Sequence, residues 1–152
     1  MPVDYVAVVG APVGSVFHFR LSLVSDATKE SVRINMVPRG REDMTGEATV
    51  EYNPYVFSWT YGPQPFTARV RQGTTVATIL RIIFGENRMD QYKFVPPGQG
   101  CRHWCACVLD KLTENELVHH SVPWMFTHAE TEEHMRFGSS YPMPRIRGTF
   151  YQ

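Results

Sequence analysis

Hydrophobic and polar residues alternate through most of the first half of the chain, and this alternation predicts a series of short β-strands. Val6–Val9 is rich in β-branched residues, and Val16–Val24 contains the alternating run FHFRLSLV. Ser31–Val37 alternates in the same way after turn residues at Asp26–Glu30, so these two alternating segments predict a hairpin. Three more short strands are predicted at Ala48–Tyr52, Tyr55–Thr60 and Phe66–Arg71.

The apolar spacing lengthens to three and four residues in the second half of the chain, which predicts helices. Thr74 is suited to cap a helix over Thr75–Phe84. After a short apolar segment at Tyr92–Val95, the turn PPGQG leads into a second helix over Cys101–Leu117. The apolar stripe of this second helix comprises Trp104, Cys105, Val108, Leu109 and Leu112.

The tail from His119 to Gln152 is rich in aromatic residues and prolines, which predicts an irregular segment on the surface with one final strand at Gly148–Tyr151. The chain contains no internal repeat and no low-complexity tract, so we expect a single domain over residues 1–152. Strands followed by helices predict an α+β fold, in which an antiparallel sheet packs against two main helices.

Composition narrows the class of partner. The 152 residues are 43% apolar, enough for a real core, and their formal net charge is zero. This balance gives no electrostatic footprint for nucleic acid and favours self-association as a homo-oligomer. No apolar run reaches the roughly 18 residues of a membrane span. Three clustered cysteines and a start without a signal-peptide pattern predict a reduced, cytoplasmic protein.

Cys101 is the residue best placed for covalent chemistry. It stands in the first turn of a predicted helix, where unpaired N–H groups and the helix dipole stabilise a thiolate. We therefore expect Cys101 to react fastest of the three thiols, with a pKa below the roughly 8.5 of a free cysteine. The alternative is a buried structural cysteine. Cys105 lies one turn later and is predicted to be core, and Cys107 has no evident role.

A nucleophilic cysteine needs a base and a group that orients the base. His18 and Asn35 lie on the polar sides of the two strands of the predicted hairpin, so their side chains are expected to be hydrogen-bonded neighbours. We expect the helix beginning at Cys101 to pack across this polar face, with the sulfur about 3 to 5 Å from a ring nitrogen of His18. The alternative is that His18 decorates an exposed strand.

A zinc site is the other chemistry that this region suggests. Its ligands would be Cys101, His103, Cys105 and Cys107, with His119 or His120. Only Cys101 and Cys105 share a helix face, because the other spacings distribute the side chains around the axis. We therefore expect no metal and no cofactor.

Three short motifs resemble those of the circularly permuted papain-like thiol proteins, which include the lecithin–retinol acyltransferase-like and NlpC-type enzymes. The strand FHFRLSL around His18 resembles the segment that carries their base, and Asn35-Met36-Val37-Pro38 resembles the one that carries their third polar residue. Gly100-Cys101-Arg102-His103-Trp104 resembles their nucleophile motif, with Gly100 in place of asparagine. The resemblance implies a permuted papain-like fold with Cys101 as nucleophile, His18 as base and Asn35 as orienting residue.

The whole chain is also similar to an uncharacterised fungal family with a G-C-R-x-W core and the ending found here at Pro142–Phe150. The sequence thus leads to an intracellular cysteine-dependent enzyme that transfers the acyl group of an amide, ester or thioester, as a hydrolase or a transferase. Its substrate is a small molecule or an acyl compound. The expected substrate-binding residues are Arg20, Arg33, His103 and Trp104.

Two alternatives stay open at this point. In the first, the same groove is a small-molecule-binding or biosynthetic pocket of the cyclase or isomerase kind, without a covalent intermediate. His18, Arg20 and Arg33 would then bind or protonate a small aromatic or polyketide-like ligand. In the second, the domain is an interaction module without catalysis. A fold analogy alone does not decide between them.

Overall fold

The centre of the molecule is one antiparallel sheet, seen in a computed structural model that describes residues 1–151. Its five strands occur in the order β4-β3-β2-β1-β5. They are β1 (Tyr5–Val13), β2 (Val16–Ser25), β3 (Glu30–Pro38), β4 (Gly46–Asn53) and β5 (Phe66–Arg69). The α+β class and the antiparallel sheet expected from the sequence are confirmed, and so is the hairpin of β2 and β3. Gln152 lies outside the described residues.

The helices follow the sheet in the chain. They are α1 (Val76–Leu80), which continues as a π-helical turn over Arg81–Glu86, α2 (Cys101–Glu114) and α3 (Val122–Phe137). Thr75, one residue after the expected cap, accepts from the Thr78 amide at 3.2 Å. Two short strands, β6 (Tyr92–Lys93) and β7 (Thr149–Phe150), pair with each other. Within residues 1–151, no helix combines the length and the apolarity needed to cross a bilayer.

The expectation of an irregular tail is wrong, because α3 occupies half of it. The helix begins at Val122 with Pro123 in its first turn, a position where a missing N–H costs nothing. Its buried side includes Glu130 and Glu133, and two charged residues on that side remove the apolar stripe that would have predicted it. The final strand, in contrast, lies where the sequence predicts it.

The two faces of the sheet are covered differently. The face of Phe19, Leu21 and Ile34 packs against α2 in the main core. The expectation that α2 packs across the face of His18 and Asn35 is therefore wrong, because the apolar stripe of α2 is satisfied by the apolar face of the sheet.

A connecting segment lies on the polar face. Residues 54–65 join β4 at one edge of the sheet to β5 at the other, so they have to cross it. The Ser31 hydroxyl donates to the Tyr55 carbonyl at 2.8 Å, and Ser31 shares the His18 side of the sheet. The strand expected at Tyr55–Thr60 is therefore wrong, because this stretch is a crossing segment without a strand ladder.

A gap between β2 and β3 decides where the site forms. The two strands pair from Leu21 opposite Ile34 to Ser25 opposite Glu30. Before Leu21, β2 stays paired with β1, and after Ile34, β3 stays paired with β4. Each strand thus keeps its outer neighbour while the inner ladder opens. The backbone N–H groups facing the gap need other partners, since an unpaired buried donor is costly.

Candidate active site

The first turn of α2 depends on Gly100, because no other residue type fits at this position. Gly100 has φ of 133°, a region that residues with a Cβ avoid. A Cβ at this position would lie 2.9 Å from the Tyr92 hydroxyl oxygen. That hydroxyl donates to the Gly100 carbonyl at 2.7 Å and accepts from the Gly148 amide at 2.9 Å. The glycine before the cysteine is therefore required by the helix start.

The Cys101 thiol fills the gap between β2 and β3. The Phe19 amide, which lies beyond the end of the β2–β3 ladder, donates to Sγ at 3.3 Å. Only 8% of Cys101 is exposed. Burial raises the pKa of the Cys101 thiol, while the amides of Phe19 and Arg102 and the charge of Arg102 oppose this in part. The lowered pKa expected from the helix start is contradicted, because desolvation exceeds the stabilisation by N–H groups.

His18 and Asn35 are hydrogen-bonded across the gap. Nε2 of His18 lies 2.5 Å from Oδ1 of Asn35, and an amide oxygen only accepts, so Nε2 carries the proton. Nδ1 then keeps its lone pair and is the basic atom. Burial lowers the pKa of His18, the bond to Asn35 opposes this, and the charge of Arg20 lowers it further. The expected contact of the base with its orienting residue is present, and the imidazole is neutral at pH 7.

One cavity of about 370 Å³ brings the three side chains together. Cys101, His18 and Asn35 all line it. Most of its other walls are apolar, formed by Val13, Val16, Phe17, Val37, Pro142 and Ile146. Among residues 1–151, no hydrogen bond joins the His18 ring to the Cys101 thiol. The two side chains thus share the cavity without a direct hydrogen bond between them.

Arg102 attaches the C-terminal segment to this cavity, and the sequence did not reveal its role. It is 6% exposed and donates from Nε to Glu130 of α3 at 2.7 Å. Its guanidinium also donates to the Pro142 carbonyl and lies over the Tyr141 ring, 3.9 Å from the centroid. These contacts hold Pro142 against the cavity and make that wall part of the site.

A comparison with protein-family models matches residues 7–151 to a family described as Domain of unknown function (DUF7770). The chain belongs to this family. No curated protein and no solved structure matches the chain. The matched range contains Cys101, His18 and Asn35 and also the C-terminal wall of the cavity, so all parts of the site lie inside the DUF7770 domain.

Two of the expected substrate-binding residues lie away from this cavity of the DUF7770 chain. Trp104 is 1% exposed and donates its indole N–H to the Met89 carbonyl at 2.8 Å, so it is a core residue. His103 is on another side of α2, with Nε2 at 3.4 Å from the Cys107 sulfur. Burial and the nearby positive charge of Arg145 lower its pKa to about 4. The helical rotation over two residues separates His103 from Cys101, whereas Trp104 is kept from the cavity by its contact with Met89 in the core.

Arg20 and Arg33, the other two expected substrate-binding residues, both lie on the polar face of the sheet but differ in their ion pairing. Arg33 forms an ion pair with Glu51 at 2.6 Å. Arg20 forms no ion pair within the described part of the chain. Neither side chain is among the walls of the cavity, although Arg20 shares the face of His18.

The two other thiols of α2 differ in their burial. Cys101, Cys105 and Cys107 are all free, with Cys105 buried and Cys107 partly exposed. Burial raises the pKa of both additional thiols, that of Cys107 to about 11. In residues 1–151, no group of three or more histidine, cysteine or acidic side chains is arranged to hold a metal ion.

Proposed function

We propose that this protein is a cysteine-dependent acyl-transfer enzyme that acts on an amide, ester or thioester. The observation that carries the proposal is the meeting of Cys101 and the His18–Asn35 pair at one cavity. A nucleophile at a helix start, a neutral imidazole with a free Nδ1 and an amide that fixes the tautomer are the parts this chemistry needs. The motif resemblance to permuted papain-like thiol enzymes supports the same roles.

The reaction begins when a substrate carbonyl enters the cavity that the thiol and the imidazole share. Nδ1 of His18 takes the thiol proton as Sγ of Cys101 bonds to the carbonyl carbon, and the carbonyl electron pair moves to oxygen. The first amides of α2, those of Cys101 and Arg102, have no partner within the helix and are suited to hold this oxyanion. The intermediate collapses, the leaving group takes the proton from His18, and an acyl thioester remains on Cys101.

The second half-reaction regenerates the enzyme. A water molecule or an acceptor gives its proton to Nδ1 and attacks the thioester, the acyl group leaves Cys101 on the new acceptor, and His18 returns the proton to Sγ. The raised pKa of Cys101 implies a neutral thiol in the free enzyme, so proton removal accompanies attack. The thiol should therefore react slowly with simple alkylating reagents and faster with a substrate that occupies the cavity.

Intact-mass spectrometry after incubation with a medium-chain acyl thioester, such as S-octanoyl-N-acetylcysteamine, tests the proposal. We expect the mass to increase by one octanoyl group in the wild type and in Cys107→Ser, and not in Cys101→Ser. His18→Ala should slow acylation about 100-fold or more, in the range of general-base catalysis. Acylation that persists in Cys101→Ser and disappears in Cys107→Ser would overturn the assignment.

One observation favours a second candidate, a non-covalent binding pocket. The thiol is 8% exposed and its pKa is raised, which is also how a structural cysteine behaves. In that case apolar ligands bind in the cavity of Cys101→Ser as well as in the wild type, and no acyl adduct forms in either. The mass experiment above detects the acyl adduct, and isothermal titration calorimetry with the same thioester measures binding. Together the two measurements distinguish the two functions.

A further inference from the structure

Arg20 is a positive charge that the fold leaves without a partner. Among residues 1–151 its guanidinium has no carboxylate in ion-pair contact, and its Nε atom is buried without a hydrogen bond. Burial lowers the pKa of Arg20. Since burial of a charge without a partner costs free energy, an acceptor from outside the chain, bound to the terminal N–H groups of this half-buried side chain, would stabilise it.

The neighbours of Arg20 make the local charge more positive. Arg33 on the next strand lies close enough that its charge also lowers the pKa of Arg20. The nearest carboxylate on this face, Glu51, is already bound to Arg33 at 2.6 Å. Two guanidinium groups therefore share one carboxylate, and the one with the unpartnered Nε is Arg20.

Arg20 also lies next to the base of the site. His18 and Arg20 are alternate residues of β2, so their side chains leave the same face about 7 Å apart. The charge of Arg20 is felt at the imidazole, where it lowers the pKa of His18. An anion bound by Arg20 would thus lie beside the His18–Asn35 pair, away from the apolar cavity walls.

We propose that Arg20 binds an oxyanion on the leaving group of the substrate. The inference rests on the proposed acyl transfer, in which His18 gives its proton to the leaving group, so the leaving group must lie on the His18 side. The acyl group then occupies the apolar side of the cavity, against Phe17 and Ile146. The substrate class is an apolar acyl group joined to a small anionic amine, alcohol or thiol.

The spacing selects a short leaving group. His18 and Arg20 leave the strand about 7 Å apart, so a leaving group that takes its proton from one and binds the other is small. The carboxylate of an N-acyl amino acid meets this condition, and so does the phosphate of an N-acyl phosphoethanolamine. Both present oxygen acceptors to a guanidinium, which binds them through two parallel hydrogen bonds.

Steady-state hydrolysis of three matched amides tests the site. They are N-octanoylglycine, N-octanoylglycinamide, which has the same size without the charge, and N-octanoyl phosphoethanolamine. We expect kcat/KM to be at least about 10-fold higher for one of the two anions than for the neutral amide, as hydrogen bonds to a charged group allow. The better anion shows whether the natural group is a carboxylate or a phosphate.

Variants assign the preference to Arg20. In Arg20→Gln the preference for the anion should disappear, so that the ratio of kcat/KM for N-octanoylglycine to kcat/KM for N-octanoylglycinamide falls to about one. Arg20→Lys keeps the charge but loses the two-pronged geometry, so it should retain part of the preference. Arg39→Gln, at an exposed arginine of the β3–β4 loop, is the matched control and should change neither substrate. An equal preference in wild type and Arg20→Gln would overturn the proposal.

Binding to Cys101→Ser distinguishes this failure from a failure of the proposed chemistry. N-octanoylglycine should bind more tightly than N-octanoylglycinamide by about 10-fold, and Arg20→Gln in the same background should remove the difference. If no substrate acylates Cys101 but this difference is found, the acyl transfer is wrong and the oxyanion site stands. If acylation occurs but neither rate nor affinity depends on the charge, the oxyanion site is wrong.

Discussion

Helices α2 and α3 are similar in length and pack against each other, but they are attached to the molecule by different forces. The buried side of α2 is apolar apart from Arg102, with Trp104, Val108 and Leu109 at helical spacing. The buried side of α3 alternates apolar residues with carboxylates, and Glu130 is completely inaccessible. Apolar burial is spread over many contacts, whereas an ionic attachment depends on a few groups with defined directions.

The ionic attachment lies beside Cys101. Glu130 accepts from Arg102, the residue after Cys101, and Arg145 of the C-terminal segment lies 3.5 Å from the same carboxylate oxygen. Arg102 thereby links the start of α2, the middle of α3 and the segment that closes the cavity. We infer that α2 supplies most of the stability of the core, and that α3 with its buried charges shapes the site.

The largest effect should come from Arg102→Ala. Removing Arg102 leaves the buried Glu130 carboxylate with only its longer contact to Arg145 at 3.5 Å, and breaking a buried ion pair in this way costs about 3 to 5 kcal/mol. The expected result is a lower free energy of unfolding in urea by that amount. Lys111→Ala removes an exposed pair with Glu114 from the same helix and should cost less than about 1 kcal/mol. Equal effects of the two substitutions would contradict the ionic attachment of α3.

Leu109→Ala tests the apolar attachment of α2. Leu109 is fully buried, and truncation of a buried leucine costs about 2 to 5 kcal/mol through lost transfer energy and the cavity that remains. We expect a loss of about 3 kcal/mol in urea unfolding. Met135→Ala, at an exposed methionine of α3, is the control and should be within about 0.5 kcal/mol of wild type. A loss below about 1 kcal/mol for Leu109→Ala would show that α2 is not the main apolar support.

The difference between the two helices also explains what the sequence predicts. β2, β3 and α2 follow from the hydrophobic pattern, because their buried positions are apolar and their spacing is regular. α3 does not, since Glu130 and Glu133 occupy positions where the pattern requires apolar residues. A buried carboxylate is recognisable only with its partner, and Arg102 lies 28 residues away in the chain.

The candidate site likewise has features that the sequence predicts and features that it does not. The hydrogen bond of His18 with Asn35 follows from strand alternation, which is local information. The gap between β2 and β3 does not, because it depends on which ladder ends first and on the thiol that takes the place of a strand partner. The raised pKa of Cys101 likewise comes from tertiary burial, which the helix-start argument does not include.

Gly100→Ala tests a second feature that holds α2 in place, the contact of its N-terminal end with Tyr92. The φ of 133° and the 2.9 Å approach to the Tyr92 hydroxyl should cost about 1 to 3 kcal/mol of stability. Differential scanning calorimetry measures the expected decrease in Tm. Gly40→Ala is the matched control, since a Cβ there meets open space, and it should leave Tm almost unchanged. If Gly100→Ala is as stable as Gly40→Ala, the helix start does not depend on this contact.

The smallest effect is the dependence of stability on alkaline pH, which comes from the buried thiols of α2. Burial raises the pKa of Cys105 in the folded state, whereas in the unfolded chain it is about 8.5. Above that value the unfolded state binds fewer protons than the folded state, so the free energy of unfolding falls as pH rises. For one such thiol the loss between pH 8.5 and 9.5 is about 1 kcal/mol.

Urea unfolding at a series of pH values measures this loss. In Cys105→Ala the free energy of unfolding should fall less steeply with pH above about 8.5, because one titrating thiol has been removed. Val108→Ala truncates a neighbouring buried residue of α2 without removing a titratable group, so it should lower stability while leaving the slope unchanged. The comparison uses slopes, because both substitutions leave a small cavity that shifts stability equally at every pH. Parallel curves for wild type and Cys105→Ala would mean that this thiol is already ionised or solvated in the folded protein, which contradicts its complete burial between α2 and the sheet.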